Sequence, residues 1–418
     1  MCRERFAPPL PRDAEPAVEI VRRLQDAGHE ALLAGGCVRD LLLGLSPKDY
    51  DVATDAPPAR ICRLFRRTRR VGVQFGVVLV RKRGCWIEVA TFRSDGRYSD
   101  GRHPDEIRFS DAPHDARRRD FTINGMFLDP LAAELIDYVG GRADLRAGLV
   151  RAIGDPQARL AEDHLRLLRA VRFAARLRFA IEPATLAAIQ SHAADLRSVA
   201  AERIREELER ILAHATRRRG IELLRATNLL PYLWNRAKWN ANHLDRAEAE
   251  LDALPPDCSF ELSLAVLLAD RSGDQVARIC RELTCSNEQR QCVVWLIEHQ
   301  HDLRDPATPS LAQLKRLMSV PAFDDLRVWA EVRYRNLPDA ARRRATLARR
   351  IEAIDPEHVC PAPLVDGNDL TACGVPPGPI YSRVLDALYT AQLNEEIHTR
   401  EEALALLRRL LREHQTQS

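Results

Sequence analysis

Two neighbouring stretches decide the fold: Gly35-Gly36-Cys37-Val38-Arg39-Asp40 and, just downstream, Pro47-Lys48-Asp49-Tyr50-Asp51-Val52-Ala53-Thr54. The run EALLAGG reads as a strand entering a glycine turn. Paired glycines after a strand let backbone N–H groups approach phosphate oxygens closely. Arg39 could add a charge-assisted contact to the same phosphates. In the second stretch, a strand's period of two puts Asp49 and Asp51 on one side and Tyr50 and Val52 on the other. Two ionised carboxylates side by side repel unless a cation lies between them, and Mg²⁺ prefers a few carboxylates plus phosphate and water. A third carboxylate, Glu88, stands in Trp86-Ile87-Glu88-Val89. Three carboxylates on adjacent strands suit a two-metal, in-line phosphoryl transfer. The plain alternatives are a solvated Asp-x-Asp strand edge and an ordinary strand–turn–helix connection, with Asp40 near the helix start.

Outward from there, PAVEIVRRLQDAG and PPARICRLFRR repeat their apolar residues with helical period, whereas GVVLVRK and CWIEVATF read as strands. Residues 93–109 lack periodicity and read as a mobile loop between two strands, either a lid or an ordinary long connection. From about residue 156 strand signals give way to Leu/Ala/Arg segments of helical spacing. Residues 301–310 and 351–368 have the Pro, Asp and Gly content of linkers. The expected architecture is an α/β head followed by a helical remainder.

The chain has 418 residues, enough for two or more cores. It is 45% hydrophobic with no apolar run long enough to cross a bilayer, and its N-terminus lacks a signal-like core. A cytoplasmic protein is expected. The 10 cysteines form no CxxC pair and fit no zinc pattern. The net charge is only +3, yet of 63 basic residues just Lys48, Lys82, Lys238 and Lys315 are lysines. Arginine suits bidentate phosphate contacts, although an Arg-rich composition explains the bias equally well. The runs at 66–70, 117–119, 217–219 and 342–344 read as a phosphate-tracking surface or as solvated faces.

AGGCVRDLLLG followed by KDYDVAT resembles the class II CCA-adding tRNA nucleotidyltransferase and bacterial poly(A) polymerase family. IEVATFR resembles the strand carrying its third acidic residue. Arg118-Arg119-Asp120-Phe121-Thr122-Ile123-Asn124 resembles its RRDFT-x-N motif, and Glu162-Asp163-His164-Leu165-Arg166 its EDxxR motif. A weaker likeness, DGNDLTACGVPPGPIYSRVLDALYTAQL, lies near the C-terminus. Gly125 departs from the family's Ala or Ser, and a slight loosening of a helix is expected there. The resemblance implies an α+β fold: a polymerase-β-like nucleotidyltransferase head with a short mixed sheet, then all-helical neck, body and tail. The expected boundaries are 1–148 for the head, 149–216 for the neck, 217–355 for the body and 356–418 for a tRNA-binding tail.

It also implies site roles. Asp49 and Asp51 are expected to ligate Mg²⁺, with Glu88 as the third catalytic carboxylate. Gly35, Gly36, Arg39, Arg119, Asp120 and Asn124 are expected at the ribose and phosphates. Asp163 and Arg166 are expected at the base; Glu162 and Arg169 are counted with the nucleotide-binding residues, Glu162 orienting Arg166 or capping the helix. The residues themselves allow a different reading of Asp120 and Thr122, as helix N-caps. In EDxxR, Asp163 and Arg166 are spaced to share one helical face. A carboxylate and a guanidinium together match the amine and acceptor nitrogen that C and A present, without a template. A surface ion pair is the alternative. Arg169, Arg172 and Arg176 form either a basic ridge or a solvated face.

The implied activity is template-independent addition of CMP and AMP, from CTP and ATP, to the 3′ end of tRNA, with no DNA or membrane partner. Poly(A) addition, or A-addition beside a separate CC-adding partner, shares the same head motifs. The compact segment between Glu88 and Arg118 and SVAAERIREELERIL lean toward the tRNA enzyme. A metal-dependent phosphohydrolase would need more than His114-Asp115 and His301-Asp302, and a bare RNA-binding module would not need the carboxylates.

Overall fold

The computed structural model describes residues 2–71, 75–96, 107–234, 239–373 and 378–416. They divide into two compact units, Met1–Trp239 with Glu282–Thr284, and Asn240–Arg281 with Cys285–Ser418.

The first unit is built on a sheet. Its strands are β1 (Cys2–Arg5), β2 (Ala31–Ala34), β3 (Asp51–Thr54), β4 (Thr68–Arg69), β5 (Val77–Lys82), β6 (Cys85–Thr91), β9 (Met126–Asp129) and β10 (Glu134–Asp137). They lie in the order β1-β10-β9-β2-β3-β6-β5-β4. Neighbours are antiparallel except β3 and β6, which run parallel. Helices α1 (Glu15–Asp26) and α3 (Pro58–Leu64) pack on the sheet. Beneath them Val78, Val80, Ile87 and Val89 are buried, while Arg81, Trp86 and Glu88 point to the open face. Full burial of each such side chain is worth roughly 1.5–3 kcal/mol, so this alternation holds the register that sets the carboxylates. The sequence predicts a short sheet, and the structure has eight strands. β9 and β10 escaped the pattern because their apolar residues are buried on both faces and show no period of two. β7 (Arg93–Asp95) and β8 (Ile107–Phe109) pair antiparallel at the two ends of the predicted loop, and residues 97–106 lie outside the described residues.

Helical elements complete the unit: α2 (Gly36–Leu42), α4 (Ala112–Arg118), α5 (Gly141–Ala147), α6 (Pro156–Glu162), α7 (Leu165–Leu177), α8 (Pro183–Ser191), α9 (Ala201–Leu212) and α10 (Arg217–Ala226). After residue 148 the described strands are β11 (Leu149–Val150) and β12 (Ala180–Ile181), two residues each. Helices α9 and α10 pack on α7. Gly220 permits the close approach, since a Cβ there would lie 2.3 Å from the Ile211 methyl.

The described residues of the second unit are helical, from α11 (Ala241–Ala253) to α20 (Arg400–Thr416), with a C-terminal core that includes Val365, Leu370, Val384, Leu388 and Leu407. The two predicted linkers are stitched into it. Arg350 donates to the Pro306 carbonyl at 2.6 Å, and the Leu364 N–H to the Gln392 side chain at 3.0 Å. Among the described residues no helix is long and apolar enough to cross a membrane. All 10 cysteines are free thiols.

Candidate nucleotidyl-transfer site

The glycine turn follows directly from β2. Gly35 has φ 76°, a left-handed conformation open to glycine, and a Cβ on it would stand 2.8 Å from Arg119 Nη1. Arg39 is buried on the helix that follows. It donates to Asp40 at 2.8 and 2.7 Å and to Asn124 Oδ1 at 2.6 Å. Its expected phosphate contact therefore starts from a guanidinium already tied to two side chains.

Asp51 and Glu88 are direct register partners across β3 and β6, so their backbones are roughly 4.8 Å apart. Asp49 precedes the strand, but the alternation still holds: Tyr50 and Val52 are buried, and Asp49 and Asp51 are exposed. Among the described residues, none of the three carboxylates accepts a side-chain hydrogen bond or forms an ion pair. Although the Asp51 side chain reaches solvent, the protein packed around it, and then the charges of Glu88 and Asp49, push its carboxyl up to about 6 despite Arg119. Burial also raises Glu88, against Arg119 and Arg93. Uncompensated oxygen donors in a like-charged group are what a hard divalent cation stabilises, so the residues present fit Mg²⁺.

The RRDFT-x-N stretch forms the floor. Arg119 grips the buried Asp115 through Nε and Nη2 at 3.1 and 2.9 Å, and Arg118 holds the same carboxylate at 2.8 Å. Asp120 is buried and accepts from the Phe121 N–H, Asn124 Nδ2 and Arg169 Nε and Nη2 at 2.6–3.0 Å. Burial alone would raise its pKa, but Arg169 and these donors hold it down to about 2. Of the helix-cap reading only part holds: Asp120 accepts the Phe121 backbone N–H, but the Thr122 hydroxyl donates to Asp144 at 2.7 Å and the Thr122–Asn124 turn has no side-chain cap. Arg39, Asn124, Asp120 and Arg169 thus form one hydrogen-bonded chain from α2 to α7. Gly125 ends a short 3₁₀ turn, Thr122–Asn124, and is tightly packed. A Cβ there would meet Val139 at 2.6 Å, so the absent side chain is filled by a neighbour and loosens no helix.

The EDxxR motif departs from the single-helix expectation. Helix α6 ends at Glu162, Asp163 is extended (φ −145°, ψ 104°), and α7 begins at Leu165. Asp163 instead caps the new helix, accepting the Leu165 N–H at 3.1 Å. Its carboxylate is clamped by Arg203 of α9 at 3.2 and 3.0 Å. Arg166 donates to Glu162 at 2.5 Å and to the Arg159 carbonyl at 2.6 Å, so Glu162 lies behind Arg166 and orients it. Two of the three arginines of the supposed basic ridge are paired: Arg169 with Asp120 and Arg172 with Glu207, both at 2.6 Å.

A cavity of about 400 Å³ gathers these pieces. Gly35, Gly36, Arg39, Asp51, Arg119, Asp120, Asn124, Asp163, Arg166 and Arg169 all line it. Asp49, Glu88 and Glu162 do not line it. Sequence reasoning missed Arg203, Phe173 and Arg118 in its wall. Arg118 opens the quoted RRDFT-x-N stretch, but nothing in the spacing tied Phe173 to it or Arg203 to Asp163. A larger cavity of about 670 Å³ in the second unit, beside Trp295 and Arg343, contains none of the motif residues.

Also missed was a cluster of His164, His192 and Asp195, whose ligand atoms lie within 4.8 Å of one another. His192 Nδ1 bonds Asp195 at 2.7 Å and His164 Nδ1 bonds Ser198 at 2.8 Å, so one nitrogen of each ring is engaged. Of the dipeptides weighed for a phosphohydrolase, Asp115 is held by two arginines and His301-Asp302 follows the end of α14 (Asn287–His299).

A model described as the poly A polymerase head domain matches residues 31–151, and one described as the probable RNA and SrmB-binding site of polymerase A matches 178–236. The CCA-adding enzymes of Limosilactobacillus fermentum and Levilactobacillus brevis are each 42% identical, over 53% and 58% of this chain. Those matches span 55% and 61% of the two relatives, little more than half of their length. The crystal structure of the Bacillus stearothermophilus CCA-adding enzyme in complex with CTP aligns with TM-score 0.81 at 27% identity, over 98% of this chain and 100% of that one. The CCA-adding enzyme of Limosilactobacillus reuteri is 34% identical over 405 residues, 93% of this chain and 94% of that protein. With a match along nearly the whole of both chains, this protein belongs to the CCA-adding enzyme family.

Proposed function

We propose that the chain adds CMP and AMP, from CTP and ATP, to the 3′ end of tRNA without a template. The observation that carries this is the single cavity joining Asp51, the Arg39–Asn124–Asp120–Arg169 chain and the Asp163–Arg166 pair. Gly35 and Gly36 admit the phosphates close to the backbone, and Arg119, beside them, supplies positive charge. Asn124 and Asp120 keep that floor rigid, so that the ribose meets preorganised donors and acceptors. Asp163 accepts from the exocyclic amine of C or A, and Arg166 donates to the adjacent ring acceptor. Uracil and guanine present the opposite pattern and leave a buried group unpaired, which is expensive. Asp49 and Asp51 hold Mg²⁺, with Glu88 beside them. The ion, when bound, neutralises the triphosphate and makes the attacking 3′-hydroxyl a better nucleophile.

The division of labour follows: head 1–148, neck 149–216 carrying the selector, and body 217–355 and tail 356–418 for tRNA. The relatives with which the chain shares its family are named for CCA addition, which favours that product over poly(A) or A alone. The substrate places the protein with cytoplasmic tRNA. The test supplies tRNA lacking its CCA end with CTP and ATP, singly and together, and sizes the products. C, C and A followed by a stop is the expected result. Long adenosine tails on unrelated RNA, or A added solely to tRNA ending in CC, would replace this reading.

A further inference from the structure

The sheet face that carries Glu88 continues beyond it. On β6 Trp86 lies two residues before Glu88 and therefore on the same side. On β5 Arg81 is its register partner, and on β4 Arg69 pairs with Leu79, which in turn faces Glu88. The Arg69 guanidinium sits 4.3 Å from the centre of the Trp86 ring, and that of Arg81 5.9 Å. Trp86 is 36% exposed, unusual for so large an apolar surface beside a catalytic strand. Arg66, Arg67 and Arg70 flank the strand and are exposed. Among the described residues none of these five arginines pairs with a carboxylate, whereas nearby Lys82 and Arg83 both bind Glu19.

The lining of the proposed nucleotide cavity includes Gly35, at the end of β2 and so across β3 from β6, and no described residue of β4 or β5. An in-line displacement brings the attacking hydroxyl from the side opposite the leaving pyrophosphate. The acceptor strand must then approach over the β6–β5–β4 face. Successive same-face positions on a strand are roughly 6.6 Å apart, close to the spacing of bases along an extended RNA strand.

We propose that Trp86, Arg69 and Arg81 grip the unpaired 3′-terminal strand of the RNA just upstream of its reacting hydroxyl. Trp86 holds the Arg69 guanidinium flat above the sheet, where it meets a phosphate, and offers its open ring surface to a base. This rests on the nucleotidyltransferase reading.

The experiment measures initial rates for the parent, Trp86→Ala, Trp86→Phe, Arg69→Gln and Arg81→Gln, varying tRNA that lacks its CCA end and CTP separately. For Trp86→Ala the KM for tRNA should rise roughly 5- to 150-fold, the range of one lost base stack, with the KM for CTP unchanged and Trp86→Phe restoring most of it. Each arginine variant should also reduce the slope of log affinity for RNA against log salt by about 0.7. If both arginine variants keep the parent's tRNA KM and salt slope, the inference is wrong while the reading of the enzyme stands. If the parent adds no nucleotide, that reading falls and this inference falls with it. Should Trp86→Ala fail to fold, Arg69→Gln and Arg81→Gln decide alone.

Discussion

Replacing Arg203 with alanine removes the guanidinium that clamps Asp163 from a different helix. The pair is bidentate, at 3.2 and 3.0 Å, with the side chains 24% and 17% exposed. A charge-assisted bidentate contact of this kind is worth roughly 1.5–3 kcal/mol, and partial exposure reduces that to about 1–2 kcal/mol. What remains on Asp163 is the Leu165 N–H, which fixes one oxygen and leaves the other free to swing. If the carboxylate reads the exocyclic amine, its misplacement should reduce kcat/KM for both CTP and ATP by roughly 5- to 30-fold, the same energy expressed as a rate ratio. UTP and GTP, which never used the contact, should change little, so discrimination narrows by that factor. The assay is single-turnover incorporation of each of the four nucleotides into tRNA lacking its CCA end, beside a thermal melt. Arg203→Lys should recover little, because an ammonium cannot reproduce the fork. Unchanged selectivity in a folded Arg203→Ala protein would refute the idea that Asp163 is positioned from α9 to read the base.

Asp49→Ala and Asp51→Ala should each abolish incorporation of every nucleotide while leaving the melting temperature near the parent's, and a chelator should do the same to the parent; near-normal turnover of Asp51→Ala would remove the metal role. Asp51→Asn should stabilise the metal-free protein near neutral pH, because a carboxyl raised from 3.8 to about 6 is costly to ionise in the fold. The gain, about 1 kcal/mol once discounted for exposure, should be absent below about pH 4, grow between about 4 and 6 and level off above about 6, which melts across that range would show. Asp120→Asn should act oppositely. Its pKa lies near 2, so the stability it contributes is present above the ordinary 3.8 and lost as pH falls toward 2. At neutral pH the variant strands Arg169 and should cost roughly 2–3 kcal/mol, read by denaturant titration. Gly35→Ala should force the turn and displace Arg119, costing about 1 kcal/mol or more of stability and at least tenfold in kcat/KM; kinetics equal to the parent's would show that the tight turn is dispensable.

Local pattern alone determined a good deal. The strand–turn–helix at Gly35, the alternation of Asp49 and Asp51 with Tyr50 and Val52, and the change from strand to helical period after the head are properties of neighbouring residues, so they are legible in the order of the chain. The motifs likewise named Arg119, Asp120, Asn124, Asp163 and Arg166, which line one cavity. Partners contributed from distant segments were not legible. That Asp120 is neutralised by Arg169, that Arg39 reaches Asn124, and that Arg203 clamps Asp163 are contacts across 49, 85 and 40 positions, which no periodicity encodes. The break between α6 and α7 was hidden for the same reason: helical spacing runs straight through EDHLR, and what ends the first helix is Asp163 capping the second while Arg203 holds its carboxylate. β9 and β10 were obscured because burial on both faces erases the alternation that marks a strand. Glu88 was found as a carboxylate on a strand, but only the parallel pairing of β3 with β6 sets it directly beside Asp51. Short-range geometry is written residue by residue, whereas pairing across a sheet and the neutralisation of buried charge depend on which surfaces meet when the chain closes on itself.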